Sequence, residues 1–564
     1  MRQHEWGKLV VFVLILAIPV TLLSTTPTVF LLKGYLPGGL VGEDAVEHLY
    51  FMWWYHQAVV EFGQSPAHLT LLAYPTGFYN PYITATPLVR LMAFPFMGWV
   101  EPTLFYNLYL LLTFVLTWGA MSALCYYLTQ DFEASILGGF VFAFSPHRLL
   151  HASAGRITMA TTFWFPVLAM SLLSFLRRPT WRSATLCGAL LSICLALDLN
   201  VIFYFTAPFV LIILGYHFWK QPGLVRSRVF LPRFGLVMLI PLLIQGPLFA
   251  SFALDKFRGK LDFLQAEGIE LYSGDLLGIL VPPPQHPLIK IFGLNPLAIR
   301  LIGRDGWTEN IVYVGLLILP LIFLALRARG LPDKRLWVAM SLIAGLLLLG
   351  PKLRVGGIYT SIPLPHALLA DIPFLEWGRT PARFGNLMMF GVAVLAAYGA
   401  SALFRFLRQP KWRPLAMLGL LAALWLDYVP FLLPWHMARI TPPPIYQEVK
   451  QSPLTLVILD IPVTEYDVSE RSMGYQMMHE HPIVAGRAYR VPPEISEQMQ
   501  AFEDLAAGEN AAEQLATQHI GYVVLHLRWL EGTALDWRSH LTGELGAPIF
   551  EDAEQVVYRV PQPE

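Results

Sequence analysis

Asp44 stands in a long polar stretch, directly before a run rich in aromatic residues from Leu49 to Val60. The spacing of that run predicts an amphipathic helix lying at a membrane surface, where Trp and Tyr are favoured. A carboxylate at the start of a helix is stabilised by free backbone N–H groups and by the helix dipole. Asp44 is therefore interpreted either as a helix cap or as a general base held at the membrane edge.

Arg379 and Arg383 are four residues apart, directly before another apolar stretch. Guanidinium groups form paired hydrogen bonds with phosphate oxygens, and the phosphate available beside a membrane is that of a lipid. The alternative is that both side chains only extend along the bilayer surface towards the headgroups.

Two histidines and two arginines lie close together between positions 147 and 156. His147 and His151 are four residues apart, so on a helix they share one face. A metal site needs more ligands at short range than this pair offers. Interfacial polar groups, or contacts of Arg148 and Arg156 with an anionic headgroup, are therefore favoured over metal binding.

Three acidic residues complete the set of candidates. Asp198 lies at a tight junction between two apolar stretches, and an ionisable group at that depth is either functional or a helix cap. Asp275 and Glu309 lie in a second long polar stretch, Glu309 at the mouth of the apolar segment that follows.

The composition places these residues on a membrane protein. Of 564 residues, 55% are hydrophobic and only 14% are charged, whereas soluble proteins carry about 25% charged residues. A purely soluble, disordered or disulfide-scaffold protein is therefore excluded. The formal net charge is zero, so no global charge signal indicates nucleic acid. The three cysteines lie in apolar stretches and are expected to be buried apolar side chains.

Apolar stretches of about 20 residues are needed to cross a bilayer. Eleven transmembrane helices are predicted, at 9–30, 103–128, 134–147, 158–176, 183–198, 200–218, 234–252, 310–326, 336–350, 386–404 and 414–433. The first span lacks a cleavage site and is expected to be an uncleaved anchor. Lys and Arg cluster in the loops on the side of the N-terminus, which is therefore expected to be cytoplasmic, with the C-terminus outside.

Long outer loops and an acidic C-terminal part follow from this topology. The long loops are 33–102, 253–309 and 351–385, and long loops on one face of a scaffold are where function usually lies. Residues 440–564 hold 19 of the 39 acids and only 7 of the 39 Lys and Arg. Residues 1–439 are therefore predicted to form a transmembrane domain and 440–564 an extracytoplasmic α/β domain. Its expected elements are strands at 454–461 and 520–527, helices at 494–505 and 511–518, and a closing hairpin at 548–560.

Several short motifs, in this order, resemble the GT-C superfamily of polytopic membrane glycosyltransferases, in particular its poorly characterised bacterial and archaeal members. They are Gly42-Glu43-Asp44, Tyr74-Pro75-Thr76-Gly77, Ser145-Pro146-His147-Arg148, Glu309 with Tyr313 and Gly315, Arg379-Thr380-Pro381-Ala382-Arg383-Phe384, and Gly474-Tyr475-Gln476 with His479-Glu480-His481-Pro482-Ile483. The sequence departs from the family pattern at two places. Ala45-Val46-Glu47 follow Asp44 where Pro-x-Gln-like residues are usual, and Gly155-Arg156 stand where many relatives have Gly-His.

The resemblance implies a mainly α, GT-C-like fold and transfer of a hexosyl or pentosyl unit from a polyprenyl-phosphate carrier to a glycan, lipid or protein acceptor. The reaction is expected to be inverting and to occur on the outer side of the cell membrane. Asp44 is then the catalytic base. The residues expected to bind substrate are Arg379, Arg383, Glu309, His147, Arg148, His151, Arg156, Asp198 and Asp275. Some relatives use a divalent cation, and this sequence does not require one.

Two other functions stay open at this point. A transporter or flippase of lipid-linked glycans would show internal repeats and interrupted helices with polar groups at mid-membrane, and the sequence contains no convincing repeat. A non-catalytic assembly protein that keeps the fold is the third interpretation.

Overall fold

The fold was analysed on a computed structural model that describes residues 3–39, 44–261, 268–302, 308–369, 372, 378–407, 409–486, 491–530 and 532–562. Asp44 is therefore described, whereas its neighbours Gly42 and Glu43 in the first motif lie outside the described residues.

Within these ranges, six helices are long and apolar enough to cross a membrane. They are Gly7–Ser24, Pro102–Thr129, Leu199–Lys220, Phe230–Phe257, Pro381–Phe406 and Pro410–Leu432. Three shorter apolar helices are Phe132–Ala143, Trp164–Arg177 and Trp181–Leu195. These helices indicate a multi-pass membrane protein. The count of eleven spans stays a prediction, although every predicted span overlaps a helix.

The remaining helices are shorter and lie mainly in the loops and in the C-terminal part. They are Asp44–Val60, Tyr82–Ala85, Leu88–Ala93, Pro146–Ser153, Ile157–Ala160, Pro287–Ile291, Asn295–Ile302, Leu319–Arg327, Lys334–Leu347, Ile445–Gln451, Tyr466–His479, Pro493–Ala507, Ala511–Thr517 and Ala534–Leu545.

Two predicted spans differ from the helices observed. The span predicted at 134–147 is divided, because Pro146 begins a new helix, Pro146–Ser153, at a position where its missing N–H costs nothing. The span predicted at 310–326 becomes helical only at Leu319. Before it, Gly315 has φ +99°, and a Cβ there would lie 2.4 Å from the Tyr428 ring, so the chain packs closely without forming a helix.

The aromatic run after Asp44 forms the helix Asp44–Val60, but not as a helix with one face open at a membrane surface. Residues 49–54 are all buried. The helix packs against Tyr466–His479 of the C-terminal part and against Leu88–Ala93. The aromatic side chains therefore fill the protein interior, and the apolar face that the spacing predicted to face a membrane surface is instead covered by the C-terminal part.

The C-terminal α/β segment, residues 441–562, is built on one four-stranded sheet. The strand order is Val457–Ile461, Ile520–His526, Gln555–Arg559 and Phe550–Glu551. The first two strands are parallel and the other pairs antiparallel. The predicted strands, the helices near 494–505 and 511–518 and the hairpin are all present within a few residues. The helix Tyr466–His479 was not predicted.

The C-terminal α/β segment is docked on the long loop 33–102 by backbone pairing. Ile483 N donates to Leu71 O at 2.9 Å, and Tyr74 N donates to Ile483 O at 3.2 Å. The side-chain amide of Gln476 donates to Leu71 O at 2.7 Å and to His481 O at 2.8 Å. Two motifs of the family resemblance, around Tyr74 and around Gln476, thus hold the two parts of the chain together.

Small antiparallel sheets fix the loops that surround this contact. Tyr35–Pro37 pairs with Met437–Arg439, which joins the chain entering the Asp44 helix to the chain leaving the last apolar helix. His68–Leu69 pairs with Phe78–Tyr79, and Lys352–Val355 pairs with Ile358–Pro363. The three cysteines are buried and unbonded.

Candidate active site

Asp44 is the first residue of its helix, so its carboxylate lies at the positive end of the helix dipole. Its Oδ2 accepts a hydrogen bond from Nε of Arg156. The Asp44 side chain keeps 34% of its surface exposed, which leaves the carboxylate accessible to a substrate.

Arg156 reaches Asp44 because the residue before it is a glycine. Gly155 has φ +71°, and a Cβ at this position would lie 2.3 Å from the Cβ of Ala45 and 2.8 Å from Pro37 O. The hydroxyl of Tyr106 donates to Gly155 O and so helps to hold the turn in place. The Gly155-Arg156 pair thus allows this turn to touch the start of the Asp44 helix.

Glu309 joins Arg156 to Arg383. Its Oε1 lies 2.9 Å from the Arg156 guanidinium and 2.8 Å from that of Arg383, and its Oε2 accepts from Nε of Arg383 at 3.2 Å. The Glu309 side chain is only 7% exposed. Asp44, Arg156, Glu309 and Arg383, hereafter the carboxylate–arginine cluster, therefore form one continuous ionic network drawn from four distant parts of the chain.

The turn that carries Arg383 is held by a local irregularity in another helix. Five residues of the segment Leu199–Lys220, 202–206, are π-helical, a feature often found at functional sites. This region places the Tyr204 hydroxyl 2.7 Å from the backbone N–H of Thr380, which donates to it. The Tyr204 ring also packs edge-on against Phe384. Arg383 is thus positioned from both sides.

The two carboxyl groups of the cluster are held ionised by their arginines. Burial opposes ionisation of Asp44, but the charge and hydrogen bond of Arg156 outweigh it and hold the pKa of that carboxyl below its usual range. Burial also opposes ionisation of Glu309, but Arg156 and Arg383 lower its pKa to about 2. Both groups are carboxylates throughout the physiological pH range.

His147 and His151 form a buried chain of hydrogen bonds beside the cluster. Nδ1 of His151 lies 3.4 Å from Arg156, which donates to it; the two Nε2 atoms are 3.1 Å apart; and Nδ1 of His147 lies 3.2 Å from Ile311 O. This order assigns one proton to each ring, with His151 donating to His147 and His147 donating to the carbonyl. Burial lowers the pKa of His147 to about 4 and, with the neighbouring His147, that of His151 well below its usual value, so both are neutral.

Apart from the two histidines, four predicted substrate-binding residues lie outside the cluster. Arg148 is fully buried, stacks on Phe114 at 4.2 Å and donates to Ala143 O, Ala160 O and two threonine hydroxyls. Arg379 is half-buried, with its guanidinium 5.4 Å from the Tyr272 ring centre. Substrate contacts of these two arginines stay predictions.

Asp198 and Asp275, also predicted to bind substrate, have backbone partners that account for their position. Asp198 caps a short helix, accepting from Asn200 N at 2.7 Å, and also accepts from the Thr158 hydroxyl at 3.2 Å. Asp275 accepts from the backbone N–H groups of Leu277, Gly356 and Gly357 at 2.9, 3.1 and 2.7 Å. The cap predicted as one alternative for Asp198 is observed, and Asp275 ties the hairpin at 352–363 to the preceding loop.

Glu470, which is fully buried in the helix Tyr466–His479, is not among the residues predicted from the sequence. Burial, reinforced by the nearby charges of Glu47 and Asp44, raises the pKa of the Glu470 carboxyl well above its usual value. Glu470 is therefore neutral at physiological pH and adds no negative charge beside Asp44. Because its neighbours come from the distant loop 33–102, only the folded structure could identify it.

A cavity of about 700 Å³ lies between Gly39, the segment His436–Arg439 and the C-terminal α/β segment. Its lining includes Arg439, Arg471, Arg528, Tyr475, Asp552 and Glu554. Arg471 lies over the Trp529 ring at 5.0 Å and pairs with Glu554 at 2.5 Å. Arginine, carboxylate and aromatic groups together are suited to polar ligands such as sugars and peptides.

Comparison with solved structures relates this arrangement to a known fold. Archaeal oligosaccharyltransferase AglB from Archaeoglobus fulgidus, in complex with an inhibitory peptide and a dolichol-phosphate, superposes with a TM-score of 0.51 at 12% identity. The match covers 96% of this chain and 71% of AglB. AglB is a GT-C glycosyltransferase. The chain has a GT-C-like fold.

A second solved structure also matches this chain. The apo form of an A. fulgidus oligosaccharyltransferase matches over the same shares of the two chains, at 11% identity and a TM-score of 0.46, and no inference is drawn from it. Scans against family models and against curated proteins find no match. The predicted resemblance to the GT-C superfamily is thus confirmed by fold, across nearly the whole length of this chain.

Proposed function

We propose that this GT-C-like protein is an inverting glycosyltransferase that moves a sugar from a polyprenyl-phosphate carrier to an acceptor hydroxyl or other nucleophile outside the cytoplasm. The observation that carries the proposal is the carboxylate–arginine cluster, in which a partly exposed carboxylate at a helix N-terminus lies beside two arginines. This combination offers a proton acceptor and a phosphate-binding charge within one site of a GT-C-like fold.

The reaction is a single displacement at the anomeric carbon of the donor. The acceptor oxygen forms a bond to that carbon while the bond from the carbon to the phosphate oxygen breaks, and the phosphate leaves with the bonding electron pair. The acceptor proton passes to Asp44. Since one carboxylate on the acceptor side suffices for inversion, no covalent enzyme intermediate is needed.

The arginines are the proposed partners of the donor phosphate. Arg383 keeps 16% of its side chain exposed although Glu309 binds two of its nitrogens, so a fixed positive charge is retained at the site. Arg379, four residues earlier in the chain, is the second candidate. The dolichol-phosphate in the AglB complex, a polyprenyl phosphate, supports a lipid-linked donor for the shared fold.

The acceptor is proposed to approach through the cavity between Gly39 and the C-terminal α/β segment. Gly39 is five residues before Asp44 in the chain, and Arg471 and Tyr475 lie on the helix that packs against the Asp44 helix. Access from this side would bring the acceptor to Asp44 without crossing the membrane. The inhibitory peptide in the AglB complex supports an acceptor that includes a polypeptide.

The function is tested by incubating the purified full-length protein in lipid nanodiscs with a panel of polyprenyl-phosphate sugars and candidate acceptors. We expect transfer from at least one donor, detected by mass spectrometry as an acceptor heavier by one sugar residue. A nucleotide sugar without the lipid is the matched control and should give no product. The same protein is also reconstituted in vesicles. Flipping of fluorescent lipid-linked glycans across the vesicle membrane, without product formation, would instead support the transporter.

We also propose that the N-terminus is cytoplasmic and the C-terminal α/β segment extracytoplasmic, on the basis of the Lys and Arg clusters in the short loops. A cysteine introduced at the exposed Leu454 should react with a membrane-impermeant maleimide in intact cells. A cysteine at the exposed Trp412, between two apolar helices, should react only after permeabilisation. The reverse pattern would overturn the orientation and with it an extracytoplasmic site.

A further inference from the structure

The Arg156 side chain lies between the two carboxylates of the cluster. Its Nε donates to Asp44 Oδ2, and its NH2 group lies 2.9 Å from Glu309 Oε1. One guanidinium thus bridges a carboxylate from the loop 33–102 and one from the segment just before the non-helical stretch at 311–318. The Arg156 side chain is only 14% exposed, so the bridge is largely shielded from water.

The residues of the cluster do not fit a divalent cation, which some GT-C relatives use. Carboxylate oxygens are the ligands preferred by Mg²⁺ and Mn²⁺, but Asp44 Oδ2 and both oxygens of Glu309 already face guanidinium groups. Two fixed positive charges beside these oxygens would repel a further cation. In the part of the chain that the structure describes, no group of three or more His, Cys, Asp or Glu could hold a metal ion.

The neighbouring imidazoles do not supply the missing ligands. A ring nitrogen must present a free lone pair to bind a metal. Nδ1 of His151 accepts from Arg156, Nε2 of His147 accepts from His151, and the other two nitrogens carry the protons. Each lone pair is therefore engaged in the hydrogen-bond chain that ends on Ile311 O.

We propose that Arg156 takes the place of a divalent cation. It is a positioning residue that fixes the Asp44 and Glu309 carboxylates relative to each other and makes the site independent of metal. The proposal rests on the proposed glycosyltransferase function only for its catalytic consequence. Its structural core, that the carboxylates are occupied by an arginine and bind no metal, holds for the protein whatever the reaction is. It also gives a chemical meaning to Arg156 where many relatives have histidine, since imidazole can ligate a metal and guanidinium cannot.

The test measures Mn²⁺ binding to the purified full-length protein by electron paramagnetic resonance, together with the melting temperature. Wild type is expected to have no Mn²⁺ site that depends on Asp44, so Asp44→Asn should not change its Mn²⁺ binding. The melting temperature of wild type should be the same with and without EDTA. Arg156→Ala opens the space between the carboxylates and removes one positive charge, so the net charge of the cluster becomes more negative by one. We expect this variant to bind Mn²⁺ at least about tenfold more tightly than wild type.

Two further variants keep the result interpretable. Arg156→Ala combined with Asp44→Asn should lose the Mn²⁺ binding that Arg156→Ala gains. If Arg156→Ala does not fold, Arg156→Lys replaces it, because a lysine keeps the charge but cannot bridge both carboxylates as a planar guanidinium does; it should fold, bind no Mn²⁺ and lose at least about 100-fold in transfer.

The Mn²⁺-binding outcomes decide the proposal without reference to turnover. A wild-type Mn²⁺ site that depends on Asp44 would overturn it, as would a folded Arg156→Ala protein that binds Mn²⁺ no better than wild type. If no donor is ever turned over but the metal readouts follow the expected pattern, the proposed function fails and the inference about Arg156 stands. If transfer by wild type is abolished by EDTA and restored by Mn²⁺, the inference fails and the function stands.

Discussion

The Asp44→Asn protein should be expressed, inserted and folded like wild type but should lose about 10²–10⁴-fold in sugar transfer, the range contributed by a positioned general base. An asparagine has nearly the same shape and can still accept the hydrogen bond from Arg156, which keeps its contact with Glu309. What it cannot do is take up the acceptor proton. The loss should therefore appear in kcat rather than in the melting temperature.

The lowered pKa of Asp44 adds a signature in the pH profile. A group whose pKa in the folded protein lies below its ordinary value is already ionised above that value, so wild-type transfer should show no acid limb from Asp44 between about pH 5 and 8. Asp504→Asn, which changes an exposed aspartate of the C-terminal α/β segment, is the matched control and should keep full activity. Turnover by Asp44→Asn within threefold of wild type would remove Asp44 as the base.

The sequence could identify the membrane class and most helices because they depend on local composition. Long apolar stretches and clusters of cations are read directly along the chain, and the helix after Asp44 was found from its aromatic spacing. The same local signal could not show that Tyr466–His479 covers that helix. Burial of the aromatic residues is a tertiary effect, and amphipathic spacing alone does not determine whether a membrane or a protein surface covers the apolar face.

The candidate site shows where residue types stop being informative. The sequence placed Asp44, Arg156, Glu309 and Arg383 in four separate outer segments, and only the fold brings them into one network. The sequence could not distinguish Arg383, which binds Glu309, from Arg148, whose guanidinium donates its hydrogen bonds to internal carbonyl and hydroxyl groups. The one local signal was Gly155, since a glycine before Arg156 permits the close approach to Ala45 that a side chain would block.

The carboxylates of the cluster differ in burial, and this difference predicts that Glu309→Gln will act on stability as well as on transfer. Glu309 is 7% exposed, against 34% for Asp44, and it is the shared partner of Arg156 and Arg383. Replacing it with glutamine leaves two largely buried guanidinium groups with only Asp44 to balance them. Removing one partner of a buried ion pair costs about 3–5 kcal/mol, so the melting temperature should fall clearly, in contrast to Asp44→Asn.

The pH dependence and a matched variant test the cause of this loss. Because the pKa of Glu309 is lowered to about 2, its contribution is complete above the ordinary pKa of a glutamate and is lost only as the pH falls towards 2. The difference in melting temperature between wild type and Glu309→Gln should therefore be constant from pH 8 to 5. Glu270→Gln removes an exposed ion pair to Lys352 of the same length, 2.8 Å, and should change the melting temperature little, because water screens such pairs. Equal effects of the two substitutions would show that Glu309 does not hold the arginines of the cluster, and the ionic network would then have no part in positioning Asp44.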